Sequence, residues 1–253
     1  MELMGPHAHA HPRPRARILC AAVACLALAL TTVIALEAGK ADAAPKVTVL
    51  GAAAPATPGC PKDPCEAIAR TTGFQTSIGR AANPFRVPYR GSIVAWSIKL
   101  GKPVGEDLEF FEDEFGQSQA RLAVLKPIMK QIKKGNPIYK LKHQTPVEVL
   151  KPFFGQTTTF TLQRPLNVKK NQIVAITIPT WAPALARINS GQMKWKASRK
   201  RTRCGTTNDG PTNLAQIKAG KAQQGVGKDR AYGCDYRGAR VLYSATLVKR
   251  PGG

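Results

Sequence analysis

The amino-acid sequence predicts an all-β fold: a single antiparallel β-sandwich, jelly-roll-like, with one short acidic helix and one long loop tied by a disulfide. Three observations carry this. The stretch 156–179, QTTTFTLQRPLNVKKNQIVAITIP, reads as a hairpin of two strands joined at Lys169-Lys170-Asn171. Its first arm sets Phe160, Leu162, Leu166 and Val168 at even spacing, while its second, Ile173 to Ile178, is apolar at nearly every position, as a strand covered on both faces would be. The stretch 91–100, GSIVAWSIKL, alternates cleanly, with Val94, Trp96, Ile98 and Leu100 on one side. Further short runs, making about ten strands in all, are punctuated by Gly and Pro turns, the spacing of a sandwich.

The chain opens on Arg13, Arg15 and Arg17, continues with an uncharged apolar run from Ile18 to Leu36, and reaches Ala41-Asp42-Ala43, a small-x-small pattern. That order predicts a secretory signal peptide over 1–44; the run is long enough that an uncleaved N-terminal membrane anchor is the alternative. The stretch 45–69 reads as a Pro/Ala/Thr linker, with Cys60-Pro-Lys-Asp-Pro-Cys65 as a stapled turn, because two prolines in six residues exclude a regular element. The sandwich domain is then 70–253. Phe74 to Ile78 and Phe85 to Tyr89 are expected as its first short strands.

Composition inverts after Leu100. Glu106, Asp107, Glu109, Glu112, Asp113 and Glu114 gather in nine residues, with Leu108, Phe111 and Phe115 at the spacing of one helix face. A short helix follows, its early acids suiting the helix dipole. A calcium site drawing on Glu112, Asp113 and Glu114 is a weaker reading, since the EF-hand spacing is absent. An internal pairing with the basic stretch 194–203 is a third. Arg121 to Pro127, Pro137 to His143 and Pro146 to Lys151 are further strands, with His143 an exposed strand-end residue.

Beyond Ile178, Pro179-Thr-Trp-Ala-Pro183 places Trp181 in a loop, where an exposed indole would offer a sugar-stacking face or else fold back to cap the core. Gln192 to Ser198 is a strand containing Trp195. It runs into the densest basic patch of the chain: Lys194, Lys196, Arg199, Lys200, Arg201 and Arg203. Guanidinium groups there would hold phosphate or carboxylate in bidentate fashion. The stretch 205–232 reads as a long loop with a helical turn near Leu214 to Lys221, and Ala239 to Val248 as a closing strand central in its sheet.

Cys60, Cys65, Cys204 and Cys234 lie beyond the leader. An even number in an exported chain predicts disulfides, with local pairing, Cys60–Cys65 and Cys204–Cys234, preferred. A zinc site is disfavoured by the absence of CxxC and by a single histidine, His143, after the leader. The net charge of +23 favours polyanions, including acidic or teichoic-type polymers, without predicting specific nucleic-acid recognition. No GxSxG, P-loop, GxGxxG or HExxH motif occurs, so the expectation is a protein that is not an enzyme and needs no cofactor.

The stretches TFTLQRPLNVKKNQIVAITIPTWAPA and YGCDYRGARVLYSATLV resemble a family of uncharacterised exported actinobacterial proteins. The strand rhythm of the first is also similar to late strands of galactose-binding-like and other carbohydrate-binding jelly rolls, a likeness that implies a fold and carries over no binding residue. The combined expectation is a secreted or envelope-localised, non-catalytic sandwich that binds a glycan or polyanion. Trp181 and the 194–203 cations would form its contact surface. A structural or assembly protein of the cell surface is the alternative, and a secreted polysaccharide-acting enzyme the more remote one.

Overall fold

The computed structural model describes residues 44–128, 136–188, 190–201, 204, 214–215, 217–221 and 224–250. The expected leader up to residue 43, Arg203, and residues 205–213, 216, 222 and 223 of the expected 205–232 loop fall outside these. The strands are β1 (Val47–Leu50), β2 (Ile68–Ile78), β3 (Ala81–Ala82), β4 (Gly91–Lys99), β5 (Gln119–Pro127), β6 (Ile138–Gln144), β7 (Glu148–Val149), β8 (Thr157–Val168), β9 (Ile173–Ala182), β10 (Leu185–Arg187), β11 (Lys194–Ala197), β12 (Asp229–Ala231), β13 (Cys234–Arg237), β14 (Ala239–Val241) and β15 (Tyr243–Lys249). The helix α1 (Glu106–Phe115) separates β4 from β5.

Two antiparallel sheets face each other in a curled, sandwich-like arrangement, as the sequence predicts. The smaller has the order β1-β15-β4-β8, and the larger runs β12-β6-β5-β9-β2-β11-β13 with β3 and β7 at its margins. β10 and β14 form a separate two-stranded ribbon. The core joins the sheets: the Phe85 and Tyr243 rings stack 4.1 Å apart, and the Tyr243 hydroxyl, on β15, donates to the Val174 carbonyl of β9 at 3.1 Å. Both disulfides form in the local pairing, Cys60–Cys65 and Cys204–Cys234. They suit an oxidising compartment. No helix among the described residues is long and apolar enough to cross a membrane.

The expected hairpin is not one. β8 pairs with β4 in the smaller sheet, whereas β9 lies between β5 and β2 in the larger. The connection is an arch that crosses from sheet to sheet, and the two arms differ in sequence for that reason. β8 is an edge strand with one face in water, so it alternates; β9 is central and covered on both faces, so it is apolar at nearly every position. Asn171 takes a left-handed conformation at φ 69° in the turn, and the Lys169 amide donates to the Gln172 side chain at 2.7 Å. Phe85 to Tyr89, expected as a strand, is a loop that touches β9 at the single bridge Arg86–Ile173. Its carbonyls and amides instead tie down the arch, with Asn171 N–H to Val87 O at 2.9 Å and Val87 N–H to Gln172 O at 2.8 Å.

Three further differences have local causes. The 45–69 stretch is not only linker: β1 pairs with β15 over four residues, and Ile68 and Ala69 already belong to β2. β4 carries a register shift between Ile93 and Ala95, so Ile93 is buried with Trp96 and Ile98 while Val94 turns outward. Pro146 to Lys151 contributes only the two residues of β7 before a 3-10 turn at Lys151–Phe153. α1 forms as expected. Its Phe111 ring stacks on Trp181 at 4.7 Å, and its N-terminal acids face the dipole without a side-chain cap.

Candidate functional site

Trp181 is part of β9 and has no exposed surface. Its ring lies against Phe111 and Phe154, and its Nε1–H donates to the Gly116 carbonyl at 2.7 Å. The indole therefore caps the core beneath α1 and offers no stacking face to a sugar. The prolines that suggested a loop are absorbed differently: Pro179 is buried within β9, and Pro183 follows the strand.

The cations of 194–203 disperse. Lys194 and Lys196 lie on β11, and Lys196 pairs with Asp235 of β13 at 2.6 Å. Arg199 turns inward, donating to the Ala69 carbonyl and the Tyr236 hydroxyl. Lys200 and Arg201 are exposed. The acidic helix does not meet this stretch through its ion pairs: Glu112 pairs with Lys151 at 2.8 Å and Glu114 with Lys218 at 2.6 Å. Glu112, Asp113 and Glu114 gather no calcium-type shell, and no group of three metal-ligating side chains assembles among the described residues.

A concavity lies elsewhere, at the arch. A cleft of about 1090 Å³ opens between the β8–β9 turn, the 85–91 loop, the ends of β5 and β6, and β11. Each bordering element delivers cations. Arg86 and Arg90 come from the loop that anchors the arch, and Lys169 and Lys170 from the arch turn itself. Lys126 and Lys142 come from the paired strands β5 and β6, Lys196 from β11, and Arg250 from the end of β15. These are eight lysines and arginines, and among the described residues no aspartate or glutamate lines the cleft. Phe74 and Tyr139, packed edge to face at 5.3 Å, supply an apolar floor, and Asn83, Asn167 and Asn171 add neutral polar groups.

Two of the eight cations are committed. Lys196 carries its Asp235 partner, and Arg250 donates to the Asn167 side-chain oxygen and to Ser92. The side chains of the other six form no ion pair or hydrogen bond to another described residue. Like charges gathered without counter-charge are a cost to the folded chain, and an anionic ligand removes that cost. Titratable neighbours carry the same field. Burial, and then the adjacent Lys142 ammonium, lower the His143 imidazole below its usual value, so this cleft histidine is held neutral near pH 7. Burial raises the Tyr139 hydroxyl, and Arg86 partly opposes that shift.

Sequence reasoning missed this site because its cations are scattered over 165 positions and only converge in the fold. One signal was present: Lys169-Lys170 in the turn of the clearest strand pair, read as exposed charge, forms one rim of the cleft. Of the predicted contact residues that are described, only Lys196 lines it. Comparison with known proteins finds no matching family model, no matching curated protein and no matching solved structure.

Proposed function

We propose that this chain is a non-catalytic, exported β-sandwich protein that binds a linear polyanion, such as an acidic polysaccharide of the cell envelope or its surroundings, in the cleft at the β8–β9 arch. The observation that carries this reading is the lining of that cleft: eight cations from six chain segments and, among the described residues, no carboxylate. Export is supported by the Arg-rich, apolar N-terminal sequence and by the two disulfides. A polymer rather than a small anion is favoured by size and spread, since cations on every side of a cleft this wide match repeated charges better than one. With Trp181 buried, a neutral-sugar lectin loses the indole on which it depended.

The test is retention of the purified protein, without its leader, on immobilised polyuronate and on an uncharged glucan of similar chain length, at low and high salt. Retention on the polyuronate that is lost as salt rises, with none on the glucan, is expected. Equal retention on both, persisting at high salt, would overturn the electrostatic reading.

A further inference from the structure

A second concavity, separate from the basic cleft and not dependent on it, lies at the opposite end of β15. It has a volume of about 270 Å³ and is walled by the 51–56 segment, the end of β4, the start of β8 and the turn between β14 and β15. The 51–56 segment is built to lie flat there. Gly51 turns the chain out of β1 at φ 76°, in contact with the Phe85 ring, where a Cβ would collide. Ala52, Ala53, Ala54, Pro55 and Ala56 then run over the pocket with short side chains.

Beneath this strap sits Arg240 of β14, only 8% exposed. Its Nη1 donates to the Ala54 carbonyl at 2.6 Å. Its Nε has no hydrogen-bond partner, and its guanidinium meets no carboxylate among the described residues. Burial lowers its proton affinity with no opposing effect from an acid nearby. A buried guanidinium is normally held by a carboxylate, because an unpaired charge removed from water is expensive. Here the edge formed by Nε and Nη2, which can donate two parallel hydrogen bonds to a carboxylate, donates to no described group, and Nε itself is enclosed rather than exposed to solvent. Also lining the pocket are the Lys99 ammonium and the hydroxyls of Thr157 and Ser244, none of which hydrogen-bonds to a described residue.

We propose that this pocket is a binding site for a small carboxylate with a short apolar body. Arg240 is its charged anchor, Lys99 and the Thr157 and Ser244 hydroxyls its polar rim, and the Ala/Pro strap its apolar wall. The volume admits a molecule no larger than roughly a single sugar acid, about a quarter of what the basic cleft holds. The arrangement pairs one deep fork-shaped donor with an apolar cover, and so suits a planar monoanion on a hydrocarbon stub better than a multiply charged, strongly hydrated phosphate.

The experiment is a titration at constant ionic strength and pH, reading the Arg240 Nε–H resonance of isotope-labelled protein. The probes are acetate, propionate, butyrate and, separately, inorganic phosphate. Saturable displacement of that resonance by the carboxylates is expected, tightening along the series, with weaker displacement by phosphate. Arg240→Lys, which keeps the charge and loses the fork, should weaken carboxylate binding about tenfold, the worth of one good charge-assisted pair. Should that variant not fold, Lys99→Ala at the accessible rim provides the same readout with Arg240 intact, and weaker binding is again expected. No displacement by any carboxylate, or tighter binding of phosphate than of butyrate, overturns the assignment. Because the signal is read at Arg240, it is separable from any ion held by the basic cleft.

Discussion

The basic cleft makes a quantitative demand on salt dependence. Six of its cations, Arg86, Arg90, Lys126, Lys142, Lys169 and Lys170, have no partner among the described residues and are free to meet a polymer. For a flexible polyanion each contacted charge adds about −0.7 to the slope of log affinity against log salt, so six contacts give a slope of about −4. The perturbation is the triple variant Lys142→Ala, Lys169→Ala, Lys170→Ala. None of these side chains is buried, so the fold should be affected by no more than about 0.5 kcal/mol for each. The slope should fall to about −2, so that a tenfold rise in salt costs the variant about 10²-fold in affinity and the parent about 10⁴-fold. The control removes the same charge elsewhere: Lys62→Ala, Arg80→Ala, Arg164→Ala, three exposed cations outside the cleft. Both proteins are titrated with a polyuronate by isothermal calorimetry or fluorescence anisotropy across a salt series. If the two triple variants lose slope equally, attraction follows net charge alone and the cleft is not the site.

Three further outcomes follow from named contacts. Trp181→Ala should cost about 3–5 kcal/mol by denaturant unfolding, because it empties a fully buried site and orphans the Gly116 carbonyl, while leaving the salt slope of polyanion binding unchanged where the protein is folded. Replacing Cys204 and Cys234 together by Ser should lower stability by about 3–4 kcal/mol, the chain-entropy value for a ring closed over a separation of 30 residues, and a loss below about 1 kcal/mol would contradict that account. His143 has a lowered folded-state value, so the unfolded chain binds its proton first; stability should decline as pH falls from the ordinary imidazole range through the folded value, and His143→Gln should flatten that decline. The same protonation adds a cation to the cleft, so polyuronate affinity should rise over that interval in the parent and not in the variant.

The fold was legible where pattern alone decides it. Alternation located β4, β5 and β6, the aromatic spacing located α1, and the even cysteine count, with each pair bracketing its own loop, fitted the observed pairing. Pairing was less legible, for a physical reason. Periodicity reports how many faces of a strand are covered; it does not report which strand lies beside it. Adjacent strands joined by four residues make a hairpin by default, and β8 and β9 depart from it because the 85–87 backbone occupies the inner edge of the turn and holds the arch open. The contrast between a half-apolar arm and a nearly all-apolar arm was already in the sequence. Two strands of one hairpin at the edge of a sheet would be expected to share the same solvent face.

The site was legible only in its charge. A local search for cations finds the 194–203 run, and that run dissolves in three dimensions because β11 and the turn after it send their side chains in different directions: Lys196 to Asp235, Arg199 inward to Ala69, Lys200 and Arg201 to water. The arch does the reverse. By passing from one sheet to the other it brings the 85–91 loop, the β5–β6 pair and the start of β4 around one end of the sandwich, so that cations isolated in sequence share a single concavity. Isolated cations each cost the fold little, whereas six unpaired ones around one cleft repel one another and weaken the end of the sandwich that holds them. If the cleft binds its polyanion, that penalty is returned on binding, and the protein should then be measurably more stable in the presence of polyuronate than in uncharged glucan at the same low salt. The arch strand pair that fixes the fold class is, on this account, also what assembles the binding surface.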